Sequence, residues 1–282
     1  MQKSLIYYAA RSDKGCARRN NEDNLFCCGA ILTSDIRDLP FKIEGKLSAP
    51  AILAVFDGIG GEQLGEHASL TAVRTLQEHA DRLLNAGSDL DEAVKLLVRV
   101  INQRLTKEAI RMSARMGTTM ALAVISHDLL RTYNIGDSRI YTYDHKSGLK
   151  RISVDHTLAM LRVDAGLMTE AEARQSHDWH KLTACLGVPG ENGMFSEPQI
   201  NPVIPLPEDM KILLCSDGLT DMVEDDRIER ILGSADNIPL AVQDLMSEAL
   251  NNGGRDNTTI IAAEIQTRKS LLGGFLRKGG KS

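Results

Sequence analysis

Acidic residues recur along this chain in one local setting: at the end of an apolar stretch, beside Gly, Ser or Asn. Asp57 follows Val55-Phe56 and opens the run Asp57-Gly58-Ile59-Gly60-Gly61; Asp137 follows Ile135-Gly136; Asp217 follows Leu214-Cys215-Ser216. Asp256 precedes the apolar run 258–263, and Glu22-Asp23 precede Leu25-Phe26. A single Asp at a strand end is commonly a turn former, because its short side chain bonds nearby backbone. The recurrence points instead to ligands. Hard divalent cations take several carboxylate oxygens and keep room for water, and adjacent glycines let backbone carbonyls approach. No His-x-x-x-His pair or Cys/His cluster offers a soft-metal site. The glycine run lacks the Gly-Lys-Ser/Thr ending of a nucleotide loop, and no Gly-x-Ser-x-Gly elbow is present. Taken alone, the run at Asp57 reads as a tight turn, a phosphate loop or a metal site.

Such residues act together only if a scaffold converges them. Short apolar or alternating runs at 51–56, 119–125, 130–135, 139–143, 211–215 and 258–263 predict strands. Asp128-Leu129 and 145–148 sit where hairpins would turn. Two long helices are predicted, one from Glu62 to Leu84 and one from an N-cap at Ser88 to Met112. On the second, Ala93, Leu96, Leu97, Val100, Ile101 and Leu105 share a face at helical spacing and belong to the core. Shorter helices are predicted at 169–175, 226–232 and 240–251. Strands next to strands, with two long helices inserted as a pair, indicate α+β with antiparallel sheets. Residues 32–50 read as a polar hairpin excursion, and 155–190 as an irregular stretch whose histidines 156, 177 and 180 read as surface residues.

A chain of 282 residues can bury a sizeable core, and a net charge of −5 calls for no nucleic acid. The five cysteines form no C-x-x-C pair and are odd in number, which suits a reducing cytoplasm rather than a disulfide framework. No apolar run is long enough for a signal peptide or a membrane span. Residues 266–282 carry five basic and no acidic residues with four glycines, which predicts a flexible basic tail and no stable membrane anchor.

The order of motifs resembles that of the protein phosphatase 2C family of metal-dependent serine/threonine phosphatases, in its short bacterial form. The matching runs are Gly15–Asp23, Val55–Gly61, Met116-Gly117-Thr118-Thr119, Asn134–Arg139, Leu182–Gly187, Cys215–Leu219 and Gly254–Thr258, spanning about residues 5–265. The resemblance implies a central β-sandwich of two antiparallel sheets flanked by helices on both faces, a four-layer α/β/β/α fold, as one domain over 1–265. It implies hydrolysis of phosphoserine and phosphothreonine in proteins by a monomeric enzyme with two Mn²⁺ or Mg²⁺ ions and room for a third. Asp57 would bridge the two ions and Gly58 would offer its carbonyl. Asp217 and Asp256 would complete the shell of the first ion, Glu22 would sit beside the second ion, and Asp23 would join its water network. Asp137 with Asp217 would hold the third ion. Asn257 would fix a water or shape its turn, and Arg18, rather than Arg19, would receive the substrate phosphate. Thr118, Thr119 and Cys215 read as packing residues, not nucleophiles. Residues 155–190 correspond to the flap beside the family's active site, and the natural partners are a bacterial serine/threonine kinase and its phosphoprotein targets.

One departure matters. Many eukaryotic members carry His where this chain has Ile59, and that His is held to protonate the leaving alkoxide; here the proton is expected to come from a metal-bound or Asp23-held water. A phosphoprotein-binding module without catalysis and a hydrolase of small phosphate esters are the competing readings.

Overall fold

The computed structural model describes residues 4–60, 64–126, 129–190 and 193–267. Gly61 and Glu62 of the expected loop and helix, Asp128 of the expected turn, and the tail from 268 onward lie outside the described residues. The chain opens with β1 (Ser4–Asp13), β2 (Asn24–Cys27), β3 (Ala30–Ile31), β4 (Phe41–Ser48), β5 (Ala51–Phe56) and β6 (Gly58–Ile59). Two long helices follow, α1 (Leu64–Leu84) and α2 (Leu90–Met112). Next come β7 (Gly117–Thr118), β8 (Met120–Ser126), β9 (Leu129–Ile135), β10 (Arg139–Asp144) and β11 (Gly148–Arg151). The short helices α3 (Leu158–Asp164) and α4 (Glu170–Arg174) precede β12 (Gln199–Ile200), β13 (Ile204–Pro205) and β14 (Lys211–Cys215). The chain closes with α5 (Asp217–Thr220), α6 (Asp225–Ser234), α7 (Ile238–Asn251) and β15 (Thr258–Thr267).

Two antiparallel sheets form, in the orders β11-β10-β14-β15-β1-β4 and β12-β9-β8-β5-β2-β3, with β13 also on β9. Their inner faces meet. Leu53 and Val55 from one sheet pack with Ile212, Leu214, Ile261 and Ile265 from the other. The alternate residues turn outward onto helices. Ile52, Ala54 and Phe56 pack with Val73, Leu76, Leu97 and Ile101 of α1 and α2. Leu213, Cys215, Ile260 and Ala262 pack with Ile228, Leu232, Val242 and Leu245 of α6 and α7. Strands with both faces covered read as continuous apolar runs, which is why β5, β14 and β15 were predictable. The four-layer α/β/β/α sandwich is as predicted.

Several local expectations are corrected. Residues 41–48 are not a hairpin excursion but β4, paired with β1 at the sheet edge, with Phe41, Ile43 and Leu47 packed inward and Lys42, Glu44 and Lys46 exposed. The helix α2 starts at Leu90 after a 3-10 turn at Gly87–Asp89, so Ser88 is not its cap. Its buried face uses Val94 and Val98, while Leu96 and Val100 are only half-buried. The helix α7 begins before Leu240 because the Asn237 side chain accepts from Leu240 N at 3.0 Å and Pro239 is tolerated in a first turn. The strand β15 runs to Thr267, where it pairs with Ser4, so the sheet extends past residue 265.

Candidate metal centre

Strand register brings the acidic residues together. Phe56 at the end of β5 pairs with Asn24 at the start of β2, which sets Asp57 beside Glu22-Asp23. Cys215 at the end of β14 pairs with both Ile260 of β15 and Arg139 of β10, which sets Asp217 between Asp256 and Asp137. The apposed sheets thus present these ends at one cleft of about 1080 Å³, lined by Arg18, Glu22, Asp57, Gly58, Ile59, Asp137, Asp217 and Asp256 among others.

The backbone around these carboxylates is closely fitted. Asp57 O accepts from Thr119 N and Thr118 Oγ1, both at 2.8 Å, and Asp57 N donates to Thr119 Oγ1 at 2.9 Å. Thr118 and Thr119 are therefore braces, as their sequence context suggested. Gly58 is required by close approach: a Cβ there would lie 2.1 Å from Gly65 O and 2.6 Å from Glu22 O. Gly218 meets the same limit against Asn257 O at 2.0 Å. Asn257 shapes its loop directly, accepting from Glu22 N at 2.7 Å and donating to Lys14 O and Asn20 O at 3.0 and 2.9 Å. Arg18 Nη2 donates to Asp256 Oδ2 at 2.6 Å from a half-exposed position on the rim.

Asp23 departs from the other predicted residues. It is fully buried beneath the floor, accepting from Ser216 Oγ at 2.7 Å, and Ser216 Oγ in turn accepts from Thr259 N at 3.0 Å. Asp137 sits on the turn between β9 and β10, and His156 braces that turn by accepting from Gly136 N at 3.1 Å through Nδ1. His156 is therefore a structural residue, half-buried rather than on the surface, whereas His177 is exposed. Arg139 pairs locally, its guanidinium bonding buried Asp155 at 2.9 and 2.6 Å.

His180 and Asp221 are among the lining residues that the motifs did not single out. His180 Nδ1 lies 3.8 Å from Asp217 Oδ2 and 3.6 Å from Asp221 Oδ2, and the three offer ligand atoms within 4.8 Å of one another. The signal for Asp221 was in the sequence: it follows Asp217 by four residues, one helical turn on α5. His180 carried no comparable signal, since only the fold brings residues 155–190 over the cleft.

Burial, followed by the charges of Asp23, Asp217, Asp137 and Asp256, pushes the Asp57 carboxyl well above the usual range. Asp137 is raised by burial and then by Asp217, and Asp256 by burial and Asp217 against the opposing pull of Arg18. Burial lifts Asp23 to about 7 and, with Asp217, lifts Asp221 to about 6. The His180 imidazole is pushed up to about 9 by Asp217, with Asp221 adding to the effect. Buried carboxyls crowded like this stay ionised only with compensating positive charge. Asp23 Oδ1 and Asp217 Oδ1 are buried without a hydrogen-bond donor among the described residues. An oxygen-rich donor set with unsatisfied carboxylate oxygens fits hard divalent cations.

The protein phosphatase 2C family model matches residues 42–252. The chain is 29% identical over 263 residues to the serine/threonine phosphatase stp of Listeria monocytogenes, covering 90% of this chain and 94% of that protein. It is 30% identical over 281 residues to the serine/threonine protein phosphatase PstP of Mycobacterium tuberculosis, covering 95% of this chain and 48% of that protein. The fold superposes with a TM-score of 0.74 on the catalytic domain of PstP in complex with two manganese ions, at 30% identity, covering 93% of this chain and 99% of that one. A family match over most of the chain, and a carboxylate cleft at the end of a four-layer sandwich, place one conclusion beyond the resemblance of motifs: the chain belongs to the protein phosphatase 2C family.

Proposed function

We propose that this protein is a metal-dependent serine/threonine protein phosphatase that hydrolyses phosphoseryl and phosphothreonyl side chains. The observation that carries the reading is the convergence of Asp57, Asp217, Asp256, Glu22 and Asp137 in one cleft with Arg18 on its rim. The relatives' names and the two manganese ions bound by the PstP domain support it. In this reading Asp57, the Gly58 carbonyl, Asp217, Asp256 and Glu22 hold two Mn²⁺ or Mg²⁺ ions, and Asp137 with Asp217 favours a third. The bound cations supply an activated water for in-line attack on phosphorus and positive charge for the phosphoryl oxygens.

The chain's own groups do the rest. Arg18 grips the phosphate through a planar guanidinium whose two-pronged geometry lysine lacks. Its hold on Asp256 keeps that guanidinium at the rim, facing the floor. Asp23 lies buried beneath the floor, next to Glu22 in the chain and tied to Ser216. Ile59 lines the cleft and offers no proton to a leaving alkoxide. Aryl phosphates, whose leaving groups need no proton, should therefore be hydrolysed far faster than alkyl phosphates and with a different pH dependence.

No helix among the described residues is long and apolar enough to cross a membrane. A monomeric cytoplasmic enzyme acting on a bacterial serine/threonine kinase and its targets is the setting we propose. The test is turnover of p-nitrophenyl phosphate during Mn²⁺ titration, followed by phosphopeptides against small phosphate esters at matched concentration. Mn²⁺-dependent turnover with phosphopeptides preferred is the expected result. No Mn²⁺-dependent turnover between neutral and alkaline pH would mean a phosphoprotein-binding module, and preference for small esters would mean a metabolite phosphatase.

A further inference from the structure

Residues 155–190 carry little structure of their own. The helices α3 and α4 have seven and five residues, too short to persist alone in water, and Leu161 and Leu167 are exposed. Yet Arg174, Trp179 and His180 from this segment all line the cleft. Trp179, the only tryptophan of the chain, explains how the segment is held there. Two guanidinium groups lie over its ring, Arg139 at 5.6 Å and Arg174 at 5.4 Å from the ring centroid. Its indole Nε1 donates to Asp221 Oδ1 at 3.1 Å.

Each partner is itself anchored. Arg139 is buried against Asp155, Arg174 pairs with Glu224 at 3.0 Å, and Asp221 follows α5 and donates its N–H to Asp217 O at 2.8 Å. An indole used only as core filling sits among apolar groups; this half-buried one contacts three charged side chains from β10, α4 and the end of α5. Cation–π contacts on the ring and a hydrogen bond to a carboxylate are each directional, so together they set orientation as well as proximity.

We propose that Trp179 is the positioning residue that docks the 155–190 segment on the cleft rim, setting Arg174 and His180 where the polypeptide of a phosphoprotein substrate must pass. The inference rests on the phosphatase reading and deepens it. A small aryl phosphate meets the carboxylate floor and only the His180 edge of the docked segment. A phosphopeptide meets both.

Trp179→Ala and Trp179→Phe test this against p-nitrophenyl phosphate and a phosphothreonine peptide. The alanine variant should raise the KM for the peptide about tenfold, as expected for losing one charged hydrogen bond and two cation–π contacts. Turnover of the aryl phosphate should change much less. The phenylalanine variant keeps a ring for the two arginines to lie over and should recover part of the peptide KM. Parallel losses on both substrates, or no change on either, would overturn the proposal. Two readouts do not need turnover. Limited proteolysis within 158–176 should be faster in Trp179→Ala, and wild-type tryptophan emission should shift when a non-hydrolysable phosphonate peptide binds. Equal proteolysis, or emission of a fully solvated indole in the free protein, would also overturn it. If the alanine variant does not fold, the phenylalanine variant and the wild-type emission decide. Absence of any wild-type turnover would sink the phosphatase reading alone, leaving the proteolysis comparison to judge the docking.

Discussion

Asp57, Asp217 and Asp256 hang from the ends of strands buried on both faces, whereas Arg174, Trp179 and His180 reach the same cleft from a segment with two helices of seven and five residues. The floor is held by sheet register and apolar packing, the overhang by paired charges: Arg139 with Asp155, Arg151 with Glu170, Arg174 with Glu224 and Arg162 with Asp178. Most of these pairs are partly exposed, so each contributes little and salt weakens it. Only Arg139–Asp155 is buried. The division fits a site whose ligand geometry has to stay constant while its rim admits protein substrates of different shape.

Removing a floor carboxylate tests the first half most severely. Asp57→Asn should lower Mn²⁺-dependent turnover by at least about a thousandfold, since the position is central to both proposed ions. The same substitution should raise the melting temperature of the metal-free protein. It takes one carboxylate out of a buried group that Asp23, Asp217, Asp137 and Asp256 all disfavour. Turnover and thermal melting in chelator measure the two effects. Loss of stability together with activity would show that Asp57 is a structural strand end and not a site sacrificed to function.

A smaller effect follows from pH. The Asp23 carboxyl, ordinarily near 3.8, holds its proton up to about 7 in the folded protein because burial disfavours its charge. Between those values the folded state binds more protons than the unfolded chain, so stability falls as pH rises and levels off above the upper value. Asp57, Asp137, Asp221 and Asp256 are shifted in the same direction. The metal-free protein should therefore melt several degrees lower at about pH 7.5 than at about pH 5. Mn²⁺ should remove most of that difference, because cations favour the ionised carboxylates that high pH produces. A metal-free melting temperature that rises over this interval would contradict the picture of a floor under electrostatic stress.

The same contrast explains what could be read from the residues. The strands β5, β8, β14 and β15 announced themselves because both faces are covered, and the acidic residues at their ends stood out against that apolar background. The edge strand β4 was hidden because only one face packs, and its exposed lysines and nearby prolines resemble a loop. The strand β1, which joins β4 to β15, was also missed, although the apolar and aromatic run from Leu5 to Ala10 has strand character. At the site, Glu22, Asp57, Asp137, Asp217 and Asp256 converge as their shared setting suggested. Asp23 was legible as acidic but not as buried, since burial of a charged side chain depends on partners such as Ser216, far away in sequence. Trp179 and His180 had no local pattern at all. Their contacts are made across the fold, to β10 and the end of α5, by side chains whose spacing in the chain carries no period.

The smallest predicted effect isolates the overhang from the floor. Thr169 caps α4 through a reciprocal pair: its hydroxyl accepts from Glu172 N at 3.3 Å, and its own N–H donates to Glu172 Oε2 at 2.7 Å. Thr169→Ala removes the first of these bonds and should cost this helix about 1 kcal/mol. In a five-residue helix that cost is enough to favour fraying, but nothing in the sandwich depends on it. Amide exchange should accelerate roughly severalfold across 170–176 while the global melting temperature stays within about one degree, because local opening draws on local free energy. If exchange in β5 and β14 accelerates as well, the overhang and the floor unfold as one unit, and the two regions share one source of stability after all.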